Sequence, residues 1–259
     1  MLNKRFQSAP GSATILGARV DLIDYEQVIT RMKRAIRRRE KITIGFTNVY
    51  TIMRAREDRE LLLDLSRFTL SVPDGMPLVW LSRCTDTPIH DRVYGPDLFG
   101  LFCQESRNGE FRHFFYGSTE TVLEGLRRNL LKRYPGIDIA GMISPPFRPL
   151  TPAEEKQVIA EINASGADVL WIGIGSPKQE KWMARMRPRL EVPVLAAVGA
   201  AFDYYAGTKK QAPKVWQKNG LEWLYRLLQE PRRLATRYLV YNPLFILRIV
   251  QQAMGKKFD

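Results

Sequence analysis

The chain has 259 residues, 45% of them hydrophobic, with 40 Lys and Arg against 27 Asp and Glu and a formal charge of +13. That apolar content is enough for one large or two small cores, and no repeat or low-complexity stretch points to a fibrous or disordered chain. Two isolated cysteines, Cys84 and Cys103, and two isolated histidines, His90 and His113, lack metal-ligand spacing, which argues against a zinc site and favours reduced cysteines in a cytosolic protein over a disulfide.

In chain order, the N-terminal "MLNKRFQSAPGSATILGARV" has no continuous apolar core, so no secretory signal is expected. The stretch "RMKRAIRRREK" follows, with Ile29, Met32 and Ile36 at helical spacing. These residues face a core and leave a basic outer stripe, which can be no more than a solvated face. Six apolar runs then read as strands: "ITIGFTN", "FTLSVPD", "FRHFFYGS", "IDIAGMI", "VLWIGIGS" and "VPVLAAVGAAFD". Amphipathic patterns such as "ETVLEGLRRNLLKRY" and "PAEEKQVIAEINAS" lie between them. Strand and helix in alternation predict an α/β fold, a Rossmann-like, mainly parallel sheet with flanking helices.

Such sheets bind ligands beyond the carboxyl ends of their strands. Here those ends carry Thr47-Asn48, Asp74-Gly75, Gly117-Ser118, Gly173-Ile174-Gly175-Ser176 and Gly199, with Asp203 just beyond. Asn48 and Ser118 can equally be helix caps. Asp74, in "SVPDGMPLVW", is either a base lifted into a cleft by the turn at Gly75 or the N-cap of a helix opening near Met76. Ser176-Pro177-Lys178-Gln179 has the form of a capping box, and the glycine turn before it can also present N–H groups to a phosphate. The spacing of Lys178 is not that of a Walker loop, and no Gly-x-Gly-x-x-Gly follows the first strand, which argues against a simple dehydrogenase. No compact Asp-x-Asp stands at a strand end, so a carboxylate-held metal is not expected.

From Lys209 to Asp259 eleven basic residues face three acids, which places +8 of the charge in the tail. Its candidate partners are nucleic acid or an anionic membrane. The tail reads as three short helices: "GLEWLYRLLQE", "PRRLATRYLVY", and "NPLFILRIVQQAMG" capped by Asn242 and opened by Pro243. The last segment's twelve helical residues rise only about 18 Å against a bilayer core of about 30 Å. The segment cannot span; it fits a membrane interface or a helical cap on the α/β domain.

Together, Thr47-Asn48, "VPDGMPLVW", "RVYGPDLF", "IGIGSPKQEKW", "VGAAFDYYAG" and "GLEWLYRLLQEPRRLATRY" resemble the bacterial WecG/TagA/CpsF glycosyltransferases, glycosyltransferase family 26, from about Thr14 to about Tyr241. The resemblance implies inverting transfer of a sugar from a UDP-sugar to a polyprenyl-diphosphate-linked glycan on the cytoplasmic face of the membrane. It implies no essential metal, no cofactor and no nucleic-acid partner. It also implies a catalytic core over residues 1–207 and a membrane-docking helical appendage over residues 208–259. By position, Asp74 matches the proposed base, Thr47 a cleft threonine, Gln179 the glutamine after the Pro-Lys pair, and Arg92 the arginine before the Gly-x-Asp element. Arg226, Arg233 and Arg237 match appendage arginines that face the diphosphate. With the strand-end residues Asn48, Gly175, Lys178, Gly199 and Asp203 they form the expected substrate site. One departure is "SPPF" at Ser144 to Phe147, where many members carry Gly followed by aromatics. The rival readings are a basic nucleic-acid-binding protein and another nucleotide-dependent enzyme.

Overall fold

The computed structural model describes residues 6–9, 11–256 and 258. The leader reading, for residues 1–5 and 10, and the tail charges of Lys257 and Asp259 lie outside the described residues. The chain opens with an antiparallel sheet that no sequence signal announced: β1 (Gln7–Ala9), β2 (Ser12–Ile15) and β3 (Ala18–Asp21). Strands of three or four residues are too short for a hydrophobic alternation to register. Helix α1 (Tyr25–Arg38) begins on Asp24, which accepts from the Gln27 N–H while the Gln27 side chain accepts from the Asp24 N–H. It buries Val28, Met32, Ala35 and Ile36, so the stripe expected from "RMKRAIRRREK" does face outward.

Next come β4 (Ile42–Thr47), α2 (Val49–Glu57), α3 (Arg59–Ser66), β5 (Leu70–Pro73), α4 (Met76–Ser82), α5 (Gly95–Glu105) and β6 (Arg112–Gly117). They are followed by α6 (Glu120–Arg133), β7 (Asp138–Ile143), α7 (Pro152–Ala164), β8 (Val169–Gly173), α8 (Lys178–Met186), β9 (Val194–Ala196) and α9 (Ala201–Ala206). The six later strands form one sheet in the order β5-β4-β9-β8-β6-β7, every neighbouring pair parallel. All six expected strands are therefore present in an α/β, Rossmann-like arrangement. The last is shorter than "VPVLAAVGAAFD" suggested, because the chain is already helical at Ala201.

Parallel strands are covered on both faces, so successive side chains enter opposite cores. Val169 and Trp171 pack with Phe99, Phe102 and Phe202 on one side, while Leu170 and Ile172 pack with Met183, Met186 and Ile162 on the other. Each such buried side chain contributes about 1.5–3 kcal/mol. The register pairs Thr47 with Pro73, so Asn48 and Asp74 leave the sheet side by side.

The tail departs from the expected three short helices. It holds α10 (Lys214–Lys218), α11 (Glu222–Gln229) and α12 (Pro231–Ala235), and α12 runs through a π-helical turn (Thr236–Val240) into α13 (Tyr241–Ala253). Asn242 lies inside this rod and is not a cap. Pro243 cannot donate to a carbonyl one turn back, and the widened turn just before it lets the helix continue. Helix α13 buries Tyr241 and Phe245 against Ile15, Leu16, Val20 and Ile52, and the Gln252 side chain bonds Leu16 N and Thr14 O, both at 2.9 Å. Its other face exposes Ile246, Leu247 and Val250, with Met254 at its C-cap. Among the described residues no helix is long and apolar enough to cross a membrane.

Candidate active site

A cleft of about 1040 Å³ lies along the carboxyl ends of β4, β5, β9 and β8. A second cavity, of about 100 Å³, runs between α4, α11 and the π-helical turn. The two share Asn48, Asp74, Tyr94, Arg226 and Arg237, so Asp74 stands where they meet.

The local chain explains how Asp74 gets there. Its N–H donates to Thr47 O at 2.7 Å, which extends the β4–β5 ladder by one step, and Val93 N donates to Pro73 O at 2.8 Å from the far side. Gly75 then takes φ +151°, a value that L side chains rarely adopt. Gly75 itself holds the N-cap position of α4, with no side-chain cap bond. Asp74 is therefore not a helix cap, and its carboxylate is left for the cleft.

Burial pushes the Asp74 carboxyl up to about 6. Arg92, Arg226 and Arg237 pull it down, while Glu222 adds to the rise. A carboxyl poised near neutrality suits a general base. Arg92 does not pair with Asp74: its guanidinium forms a buried ion pair with Glu222 and lies 4.3 Å from the Tyr94 ring centre. It lines only the smaller cavity.

Arg226 and Arg237 form no salt bridge among the described residues. Arg237 donates to Asn48 Oδ1 at 3.4 Å and lies 4.7 Å from the Tyr50 ring centre, while its Nε has no partner. Burial lowers its pKa, and the neighbouring Arg226 charge lowers it further. Two adjacent, largely desolvated cations without their own carboxylates are stabilised when an anion enters between them. Arg233 also lines the larger cleft, but it is held by Glu230. Lys209 bridges Glu230 at 3.3 Å and Asp203 at 3.8 Å, so Arg233 and Asp203 belong to one ion network on the rim.

The remaining expected residues divide. Asn48 is both a cap, accepting from Thr51 N at 3.1 Å, and part of the site through Arg237. Gly175, Lys178, Gln179 and Gly199 line the cleft. Gly175 has φ +85° and open space where a Cβ would stand, so backbone conformation alone requires glycine there. The Gln179 side chain donates to Ala197 O at 2.9 Å. Three expectations change. Thr47 lies beneath the floor, 1% exposed, its hydroxyl unpartnered and its carbonyl committed to Asp74. Ser176 forms no capping box, because α8 opens at Lys178 behind Pro177 without a side-chain cap bond. Ser118 is not the cap of α6, since Thr119 accepts from Val122 N.

The residue-by-residue reading missed Glu222 and Glu180. Glu222 stands one helical turn before Arg226 in "GLEWLYRLLQE", a spacing that puts both on one face. Glu180 follows Gln179, is 1% exposed, lines the cleft and is pushed by burial up to about 6. One Glu180 oxygen has no partner; the other accepts from Gln179 at 3.3 Å. Among the described residues no three His, Cys, Asp or Glu gather as metal ligands.

Comparison with known proteins decides the class. A model of the glycosyl transferase WecG/TagA/CpsF family matches residues 13–259. The chain belongs to this family. It is similar to the N-acetylglucosaminyldiphosphoundecaprenol N-acetyl-beta-D-mannosaminyltransferases of Bacillus spizizenii, Bacillus subtilis and Staphylococcus aureus. The Bacillus spizizenii relative is 31% identical over 65% of this chain, which spans 64% of that relative's length. The Bacillus subtilis relative is 28% identical over 83% of this chain and 81% of its own. The Staphylococcus aureus relative is 26% identical over 95% and 94%. Membership favours the transferase reading over a nucleic-acid-binding protein or a dehydrogenase.

Proposed function

We propose that this WecG/TagA/CpsF glycosyltransferase is an inverting enzyme that moves an N-acetylhexosaminyl group from a UDP-sugar to a saccharide carried on a polyprenyl diphosphate. The observation that carries the proposal is Asp74, a partly buried carboxylate at the junction of two cavities, flanked by two arginines with no carboxylate of their own. Inversion is a single displacement at the anomeric carbon. Asp74 takes the proton of the acceptor hydroxyl as that oxygen bonds to the anomeric carbon. The bond to the donor phosphate breaks with its electron pair on the departing UDP. The larger cleft, bordered by Gly175, Lys178 and Gly199, takes the nucleotide sugar. The smaller cavity takes the acceptor, with Arg226 and Arg237 beside the diphosphates. Residues 1–207 act as the catalytic core and residues 208–259 as the appendage that completes the site.

The acceptor's lipid places the reaction at a membrane surface, on its cytoplasmic face, where nucleotide sugars are supplied. The exposed Ile246, Leu247 and Val250 of α13, with Met254 at its C-cap, support interfacial docking, and Arg248 on the same helix is able to meet anionic headgroups. The test is incubation of purified protein with a panel of UDP-sugars and an N-acetylglucosaminyl-diphosphate-lipid, with product mass as the readout. A product one N-acetylhexosamine heavier supports the proposal. No transfer from any UDP-sugar would overturn it.

A further inference from the structure

Arg92 has two carboxylates to choose between. One is Asp74, at the end of the neighbouring strand. The other is Glu222, supplied by the first turn of α11 from far along the sequence. The Arg92 backbone is anchored beside Asp74, because Val93 N bonds Pro73 O at 2.8 Å and Tyr94 N bonds the Tyr25 hydroxyl at 2.9 Å. Its side chain nevertheless turns to Glu222, and both partners are nearly inaccessible, at 11% and 8% exposure. A guanidinium paired with a catalytic carboxylate would favour the ionised form and weaken the base.

We propose that Glu222 is a positioning residue for the transfer reaction: by holding Arg92 it keeps that guanidinium off Asp74 and so sets the strength of the base. The proposal rests on the reading of Asp74 as that base. The charged and titratable groups facing Asp74 are Arg92 from the segment before α5, Tyr94 at the start of α5, Glu222 and Arg226 from α11, Arg237 from the π-helical turn, and Tyr25 from α1. Of these, Glu222 is the only carboxylate, and its direct partner is Arg92. Burial opposes the Arg92 charge, but Glu222 and Asp74 together outweigh that and hold it firmly cationic. The C-terminal helices thus contribute a tuning charge to a base carried by the sheet.

The two halves of this pair act on Asp74 with opposite sign, which separates tuning from simple support. In Glu222→Gln the freed Arg92 turns to Asp74, so the Asp74 carboxyl titrates lower by roughly one pH unit. In Arg92→Met the remaining Glu222 charge drives it higher. The readout is the Asp74 carboxyl titration by carbon-13 NMR on the full-length protein, assigned with Asp74→Asn, beside the pH profile of kcat. Glu222→Gln should move the acid limb of that profile down and lower the plateau about threefold to tenfold, as a weaker base does. Thermal melts check folding, and the double variant Glu222→Gln/Arg92→Met, lacking both charges, should bring the titration back toward wild type. Shifts of the same sign in both single variants, or no shift in either, would overturn the proposal. The reading of Asp74 as base fails separately, if Asp74→Asn keeps its activity.

Discussion

Replacing Asp74 by Asn should do two things at once: abolish transfer and stabilise the fold. The carboxyl is raised from its ordinary 3.8 to about 6 by burial. A group whose folded pKa is raised adds stability below its unfolded pKa, and that stability is lost as pH rises through the folded value. Here the loss begins near pH 4 and is complete just above pH 6. By pH 7.5 the ionised carboxylate costs about 3 kcal/mol, an order-of-magnitude figure from a shift of about two units at 1.36 kcal/mol each. Asparagine has the shape of the neutral acid and escapes this cost. Asp74→Asn should therefore melt about 6–10 °C above wild type at pH 7.5, while the gap shrinks to about 1 kcal/mol at pH 4.5. Transfer should fall by about 10²–10⁴ with UDP affinity nearly unchanged. The assays are thermal unfolding at both pH values and product formation at pH 7.5. Equal stability at pH 7.5, or a gap independent of pH, would refute the reasoning, as would turnover within about threefold of wild type.

Three other expectations are open to the same kind of check. Replacing the exposed Ile246, Leu247 and Val250 by Ser should lower partition onto anionic vesicles at least about tenfold, since each buried aliphatic is worth about 1.5–3 kcal/mol; the melting temperature should hardly move, and unchanged partition would mean that α13 is not the docking face. Phe245→Ala, on the opposite face of the same helix, should cost about 3–5 kcal/mol in denaturant unfolding and leave partition unchanged per folded molecule. Transfer should persist in excess EDTA, because no ligand cluster for a divalent ion stands at the site among the described residues; activity lost and then restored by magnesium or manganese would contradict this.

The parallel sheet was legible because its strands are buried on both faces and read as continuous apolar runs, as in "VLWIG" over Val169–Gly173. What escaped was whatever depends on contacts between distant segments. The N-terminal antiparallel sheet packs on α13, more than two hundred residues later, and neither segment alone says so. The same holds within the site. Asp74, Asn48 and Arg237 were visible as polar residues at strand ends or in a basic tail. That Thr47 turns under the floor could not be read from its place beside Asn48, because β4 is buried on both faces and its sequence carries no apolar–polar alternation to assign the last side chain. Arg233, expected at the diphosphate, lines the larger cleft and also pairs with Glu230, three residues before it; helical spacing allows that pair, and nothing in the sequence distinguishes it from an outside ligand.

The formal charge of +13 was a guide only once it had been divided. On and just after α1, Lys33 meets Glu105 at 2.5 Å, Arg37 meets Glu110 at 3.6 Å, and Arg39 meets Asp168 at 3.5 Å. Arg34 and Arg38 share Glu40. That stripe is laced with exposed ion pairs, each worth at most about 1 kcal/mol, and it offers a polyanion little unpaired charge. Around the cleft the balance is reversed. Arg226, Arg237 and Lys178 line it without a salt-bridge partner among the described residues; of the acids lining it, Asp74 and Glu180 are pushed by burial toward their neutral forms, while Glu60, Asp64 and Asp203 are each met by a basic side chain. A nucleic acid would need charge spread along a surface at the spacing of its phosphates. Charge gathered in a cavity around one carboxylate made more basic by burial fits a compact diphosphate, and the same carboxylate can then take the proton that the reaction releases.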